Sequence, residues 1–166
     1  MTALESSNEA LKGLKKLSFS AAKEVDLDGG RKAILIFVPP PALSEYRKIQ
    51  KTLVEELEKK FGGGASVLVI ANRTMVSAGT WQRGDKYTGV RPRSRTLRNV
   101  QEAILDDVVY PTEIVAKRTR VKVDGTRLLK VLFSPKDAVS VEGKTDVFRA
   151  VYKKLTNKDV SFELAH

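Results

Sequence analysis

The run Ala33-Ile34-Leu35-Ile36-Phe37-Val38 constrains the fold more than any other part of this chain. It is apolar at every position, so neither face can be left to water. That is the pattern of a central β-strand covered on both sides, and Pro39, Pro40 and Pro41 stop it. The run is too short to cross a bilayer. After the prolines, Ser44 to Phe61 reads as a helix, with Tyr46, Ile49, Leu53, Leu57 and Phe61 along one face. Glu55 with Lys59, and Glu56 with Lys60, have the spacing for i,i+4 support. Gly62-Gly63-Gly64 ends the helix, and Val67 to Ile70 reads as a further apolar strand. Strand, helix and strand in this order are long enough for a right-handed βαβ crossover.

The remaining segments fit around that unit. Leu4, Leu11, Leu14 and Leu17 are spaced for a helix over about Glu5 to Leu17, giving an N-terminal helical extension over 1–18. Ser20 to Leu27 reads as a strand that turns at Asp28-Gly29-Gly30 into Lys32 to Val38. Asn72 to Thr96 has no useful periodicity and contains Gly79, Gly84, Gly89 and Pro92, so it is expected as one long loop; such loops are normally functional or disordered. Leu97, Val100, Ile104 and Val108 mark the next helix, with Thr96 as its N-cap. Glu113 to Val123 and Thr126 to Phe133 flank Asp124-Gly125, a hairpin signal. Val141 to Leu155 reads as a last helix and Val160 to Leu164 as a closing strand. With 166 residues, no repeats and no second linker, the expectation is one α+β domain over 19–166. It has a mixed or antiparallel sheet packed by helices, a long basic loop and a β-hairpin.

Charge points to the kind of partner. The net charge is +10 and the sequence contains no cysteine. Cysteine-ligated zinc and disulfides are excluded, and the first eleven residues show no secretory signal. The expectation is a soluble intracellular protein that does not insert in a membrane. Residues 1–60 hold eleven Lys or Arg against nine Asp or Glu, whereas 61–166 hold nineteen against eleven. Asn72 to Arg98 alone carries seven basic residues and one acid, Asp85. A surplus gathered in this way favours a binding face over general solubility.

Within it, Arg91-Pro92-Arg93-Ser94-Arg95-Thr96-Leu97 alternates guanidinium forks with hydroxyl donors, a combination suited to phosphate oxygens. A helix N-terminus directly after it adds free amides. The same run without a partner is a solvated loop. Trp81 and Tyr87, interleaved with Arg83 and Lys86, suit base stacking or the anchoring of a neighbouring protein. On the hairpin, a two-residue turn would set Val123 opposite Thr126, Lys122 opposite Arg127 and Val121 opposite Leu128. Arg118, Arg120, Lys122 and Arg127 would then share a face. Like charges directly opposed are mildly destabilising; a bound phosphate would relieve them, and so would acidic side chains from elsewhere.

The RNA-contact candidates are therefore Arg73, Arg83, Lys86, Arg91, Arg93, Ser94, Arg95, Thr96 and Arg98, with Arg118, Arg120, Lys122 and Arg127 on the hairpin. No catalytic centre emerges. The single histidine is the last residue, His166, so neither a His-based relay nor a His metal set can be built. Gly62-Gly63-Gly64 lacks the Lys-Ser or Lys-Thr of a P-loop. Asp106-Asp107 is the one close carboxylate pair, but adjacent residues on a helix diverge, and a solvated helix face is the simpler reading. No metal, cofactor or small-molecule substrate is expected. The alternatives kept are a phosphate-handling enzyme, such as a nuclease, using carboxylates, and a nucleic-acid or acidic-protein binding module.

Several segments in order resemble the eukaryotic small-subunit ribosomal protein family numbered seven. They are Ala21-Ala22-Lys23-Glu24-Val25, Gly29 to Pro39, Glu56-Leu57-Glu58-Lys59-Lys60-Phe61, Arg91 to Leu97, Glu113-Ile114-Val115, Arg120 to Val131, Val151 to Thr156 and Lys158-Asp159-Val160. The resemblance covers about Ala21 to Glu163. It implies a component of the small ribosomal subunit that binds its RNA, supports assembly and RNA maturation, and performs no catalysis. It further implies contacts with neighbouring ribosomal proteins, a cytoplasmic location on the ribosome and assembly in the nucleolus. Two stretches depart from the family's pattern. The part before Ala21 is short and divergent, and Met75 to Val90 is poor in lysine and arginine, with Trp81 and glycines instead.

Overall fold

The computed structural model describes residues 13–14, 17–27, 30–62, 64–83 and 89–165. Most of the expected N-terminal helix lies outside them. The apolar run behaves as its composition demands. Strand β2 (Lys32–Val38) sits between β1 (Ala21–Asp26), to which it is antiparallel, and β3 (Ala65–Ala71), to which it is parallel. A parallel neighbour needs a crossover, and helix α1 (Leu43–Lys60) supplies it. Leu43, Tyr46, Leu53 and Leu57 of α1 pack on Ile36, Val38, Val67 and Val69. The opposite face of the sheet, through Ala33, Leu35, Leu68 and Ile70, is covered by residues from two later helices. Two details differ from the expectation. Phe61 lies just past the end of α1 and is 52% exposed, while Gln50 takes a buried place on the helix. Lys59 pairs with Glu56 at 3.1 Å rather than with Glu55.

The second half builds a second sheet instead of extending the first. Strand β5 (Arg127–Phe133) pairs antiparallel with β4 (Ile114–Val121) and parallel with β6 (Asp159–Leu164). Helix α3 (Leu97–Val109) joins the two sheets: Val108 enters the core of the first, and Leu105 and Val109 enter the core beneath β5. The expected single last helix is two, α4 (Ala138–Val141) and α5 (Thr145–Thr156). The break carries Gly143 at φ +88°, in the left-handed region open to glycine. From α5, Val147, Phe148 and Val151 cover the first sheet and Tyr152 the second. Phe162 stacks on Phe133 at 5.4 Å and meets Phe148 edge-on at 6.0 Å. These ring contacts continue the core from one sheet to the other.

Two expectations about the basic segments are corrected. Asn72 to Thr96 is not uniformly a loop, because it contains helix α2 (Ala78–Arg83) and a 3-10 turn over Arg93–Arg95. The hairpin has a three-residue loop, Val123-Asp124-Gly125, rather than a two-residue one. The Lys122 amide donates to the Thr126 carbonyl at 2.9 Å, and Gly125, at φ +83°, donates to the Lys122 carbonyl at 3.0 Å. The extra residue shifts the ladder by one, which moves side chains to the opposite face. Val121 thus opposes Arg127, Arg120 opposes Leu128 and Arg118 opposes Lys130. The expected Lys122–Arg127 pair does not form.

Asp107 also departs from expectation. Its side chain is fully buried, not part of a solvated helix face. It accepts from Arg47 Nη2 at 3.0 Å and from the Ala71 amide at 3.1 Å. Arg73 donates to both of its oxygens, one through Nη1 and the other through Nη2 at 3.3 Å. This one carboxylate therefore ties α1, the end of β3 and the start of the following segment to α3. Removing it leaves two guanidinium groups facing a void. Asp107→Ala is expected to destabilise the fold by about 3 kcal/mol. Asp106→Ala, which loses only a surface pair with Lys117, should cost at most ~1 kcal/mol. Urea unfolding of the two variants checks both figures.

Candidate nucleic-acid interface

The Arg91–Thr96 segment is folded, and its own contacts hold it. The Val76 amide donates to the Arg95 carbonyl at 3.1 Å, and Arg91 Nη1 donates to the Val76 carbonyl at 3.0 Å. The Arg95 guanidinium lies 6.0 Å from the centroid of the Trp81 ring, within cation–π reach. Trp81 is buried, and its Nε1 donates to the Gly89 carbonyl at 2.8 Å. The ring expected to stack on bases thus serves as a post that the basic segment leans on. In sequence, Trp81 among glycines and cations carried no apolar period that would have revealed this.

Thr96 occupies the N-cap of α3, but its hydroxyl does not cap the helix. It donates to the Arg93 carbonyl at 2.6 Å and closes the 3-10 turn instead. The first turn of α3 has no side-chain cap and no acid, so its amides keep their affinity for negative charge. Leu97, expected to open the apolar stripe, is 53% exposed here. Beside this turn runs a groove of about 640 Å3, lined by Asn72, Arg73, Thr74, Ser94 and Arg95 and by Asn99, Glu102 and Asp106 of α3.

The candidates therefore stand differently. Arg93 and Ser94 are exposed on the turn, and Arg95 is half-buried against Trp81. Arg91 spends one nitrogen on Val76, and Arg73, held by Asp107, forms part of the wall of the groove. Arg98 is exposed and bonded to Glu102 at 2.8 Å. Arg83 closes α2, and Lys86 lies outside the described residues.

The hairpin presents a second basic surface. Arg118 and Arg120 are exposed on the face they share with Lys130, which reaches Glu163 at 2.6 Å and holds that carboxyl below its ordinary range. Nearer the tip, Lys122 and Arg127 line a cleft of about 490 Å3 together with Arg149 of α5, Asp124 and Asp159. Arg149 was missed in the sequence. Its position after Phe148, on the polar side of the last helical pattern, is the only local signal. The Thr126 hydroxyl at 2.7 Å and the Thr126 amide at 3.0 Å bind the Asp124 carboxylate and hold its pKa below the usual range. That makes the turn a preformed Asx turn.

The buried position of Asp107 also bears on catalysis. Its charge is matched by two arginines, whereas Asp106 points to Lys117. The two carboxylates do not converge, so they do not form the clustered pair that a metal-dependent nuclease requires. Among the described residues no group of three or more His, Cys, Asp or Glu side chains is placed to hold a metal ion.

Comparison with known proteins adds family evidence to this geometry. The model of the ribosomal protein S7e family matches residues 1–164. Small ribosomal subunit protein eS7z of Arabidopsis thaliana is 52% identical over 161 residues, covering 96% of this chain and 82% of the relative. Small ribosomal subunit protein eS7 of Candida albicans is 44% identical over 161 residues, covering 97% and 85%. The corresponding figures for eS7B of Saccharomyces cerevisiae are 44% over 162 residues, 97% and 84%.

Trp81 is the only tryptophan, which gives a direct test of the folded basic segment. Its emission should be blue-shifted and weakly quenched by iodide in the RNA-free protein. Emission at the wavelength of free tryptophan, with full quenching, would show that the post does not form.

Proposed function

Because the chain belongs to the ribosomal protein S7e family, we propose that its body holds two basic surfaces against the RNA of the small ribosomal subunit. It is a structural constituent of that subunit and not an enzyme. One observation carries the RNA reading: the Arg93–Arg95 turn is stapled in place at an uncapped, acid-free helix N-terminus, with its hydroxyl and guanidinium groups along an open groove. A flexible basic tail would lose conformational entropy on meeting RNA, and a turn fixed beforehand loses less.

The direct phosphate contacts are Arg93, Ser94, Arg95 and Arg98 on the first surface and, on the hairpin, Arg118 and Arg120 on one face with Lys122, Arg127 and Arg149 at the tip cleft. Arg73 acts through the shape it gives the groove, and Arg91 and Thr96 through the bonds that hold the basic turn. Arg83 and Lys86 are proposed as further contacts to the same RNA. The chain works on the cytosolic ribosome beside other small-subunit proteins, enters the particle during assembly in the nucleolus, and supports maturation of the RNA it binds.

With about six phosphates engaged, affinity for small-subunit RNA fragments should fall on the order of 10³-fold between about 50 and 200 mM salt. Arg93→Ala and Arg120→Ala should each reduce the salt slope by about one. Filter binding across a salt series measures both. An affinity that hardly changes with salt would contradict the proposal.

A further inference from the structure

Between α3 and the β4–β5 hairpin lies a cleft of about 330 Å3, which adjoins the groove of the basic turn at Glu102 and shares no lining residue with the cleft at the hairpin tip. Its inner wall is formed by Leu105 and Tyr152, both buried, and by the half-buried Leu129, beside the carboxamide of Gln101. Its rim carries three cations: Arg98, paired with Glu102 at 2.8 Å, Lys117, paired with Asp106 at 2.7 Å, and Lys158. Lys158 is exposed and has no ion-pair partner among the described residues. A floor that mixes apolar side chains with a carboxamide, under a cationic rim, suits a flat heterocycle attached to phosphate better than it suits an aliphatic side chain or a bare anion.

Gln101 adds a second, independent sign. It lines the cleft, is 8% exposed, and its Oε1 is buried without a hydrogen-bond partner. Its Nε2 reaches the Thr156 carbonyl at 3.5 Å, the outer limit for such a bond. A buried acceptor left unpaired is costly. Because the one bond that restrains the carboxamide among the described residues is weak, it can turn toward the cleft and accept from an N–H brought there. Every nucleobase carries such a donor on its Watson–Crick edge, and unstacked bases of single-stranded RNA are read in this way.

We infer that this cleft seats one unstacked nucleobase of the bound RNA, with Gln101 accepting from its edge and Arg98, Lys117 and Lys158 meeting its flanking phosphates. The inference rests on the RNA reading above and narrows it to a single-stranded or bulged nucleotide at this point. Thr119, exposed on β4 at the cleft, gives a way to fill it without touching the core.

The test uses the full chain, isotope-labelled, with two probes: a single-stranded oligoadenylate hexamer and a fully paired RNA hairpin. The hexamer should shift the Gln101 side-chain amide and the Thr119 and Lys158 signals, and the paired hairpin should not. Thr119→Trp fills the cleft on an exposed strand. Gln101→Leu removes the unpaired acceptor and leaves the core at least as well satisfied. Both should weaken hexamer binding by on the order of tenfold while leaving the paired hairpin unaffected. If both variants bind the hexamer like the parent, with shifts confined to residues 91–97, the cleft proposal fails and the RNA reading stands. If the parent binds neither RNA at any salt, both fail. If AMP moves the cleft signals and the hexamer does not, the site belongs to a free nucleotide and the proposal is wrong.

Discussion

The buried carboxylate of Asp107 is the interaction on which the arrangement of this molecule depends. It lies on α3, the helix that contributes to two of the hydrophobic cores, and it receives donors from α1, β3 and the segment that leaves β3. A single charge in a dry interior is tolerated only when it is paired and hydrogen-bonded. Here the pairing fixes where Arg73 lies, and with it the wall of the groove that faces the basic turn. The same helix that carries Asp107 inward carries the uncapped first turn and the Arg93–Arg95 segment at its other end. Core and surface are therefore set by one element.

The basic segment follows from this arrangement. Apolar burial of Trp81 and main-chain bonds to Val76 hold it, so its guanidinium groups are divided between structure and surface. Arg91 and Arg95 partly serve the fold, whereas Arg93 and Ser94 are open. The hairpin is organised differently. Its turn is closed by Asp124 and Thr126 within the turn itself, and its outer half is exposed on β4 from Lys117 onward. One surface is rigid because it is stapled to the body, the other because its turn is internally bonded. Both forms of order lower the entropy lost on binding.

How much of this was legible in the sequence differs from element to element. The βαβ unit could be read because length and period both speak: Ala33 to Val38 has no polar face, and Tyr46, Leu53 and Leu57 recur at helical spacing. The hairpin was legible in place but not in register. Asp124-Gly125 fits a two-residue and a three-residue loop alike, and the Thr126 bonds to the Asp124 carboxylate accompany the longer one. Asp107 could not be recognised, because its partners Arg47 and Arg73 lie 60 and 34 residues away. Trp81 was misjudged for a related reason: a single buried ring held by non-local contacts leaves no periodic trace. Of the candidate site, the clustering of charge was visible. The division of those charges into wall, post and open surface was not.

The most direct test of the account is a density map of the small ribosomal subunit containing this chain. The account expects Arg93, Ser94 and Arg95 within hydrogen-bond distance of RNA phosphates, Arg118 and Arg120 against a second stretch of RNA, and Arg73 still held by Asp107. A map with Arg93 to Arg95 turned to solvent or to protein, or with Arg73 released from Asp107 to contact RNA, would contradict it.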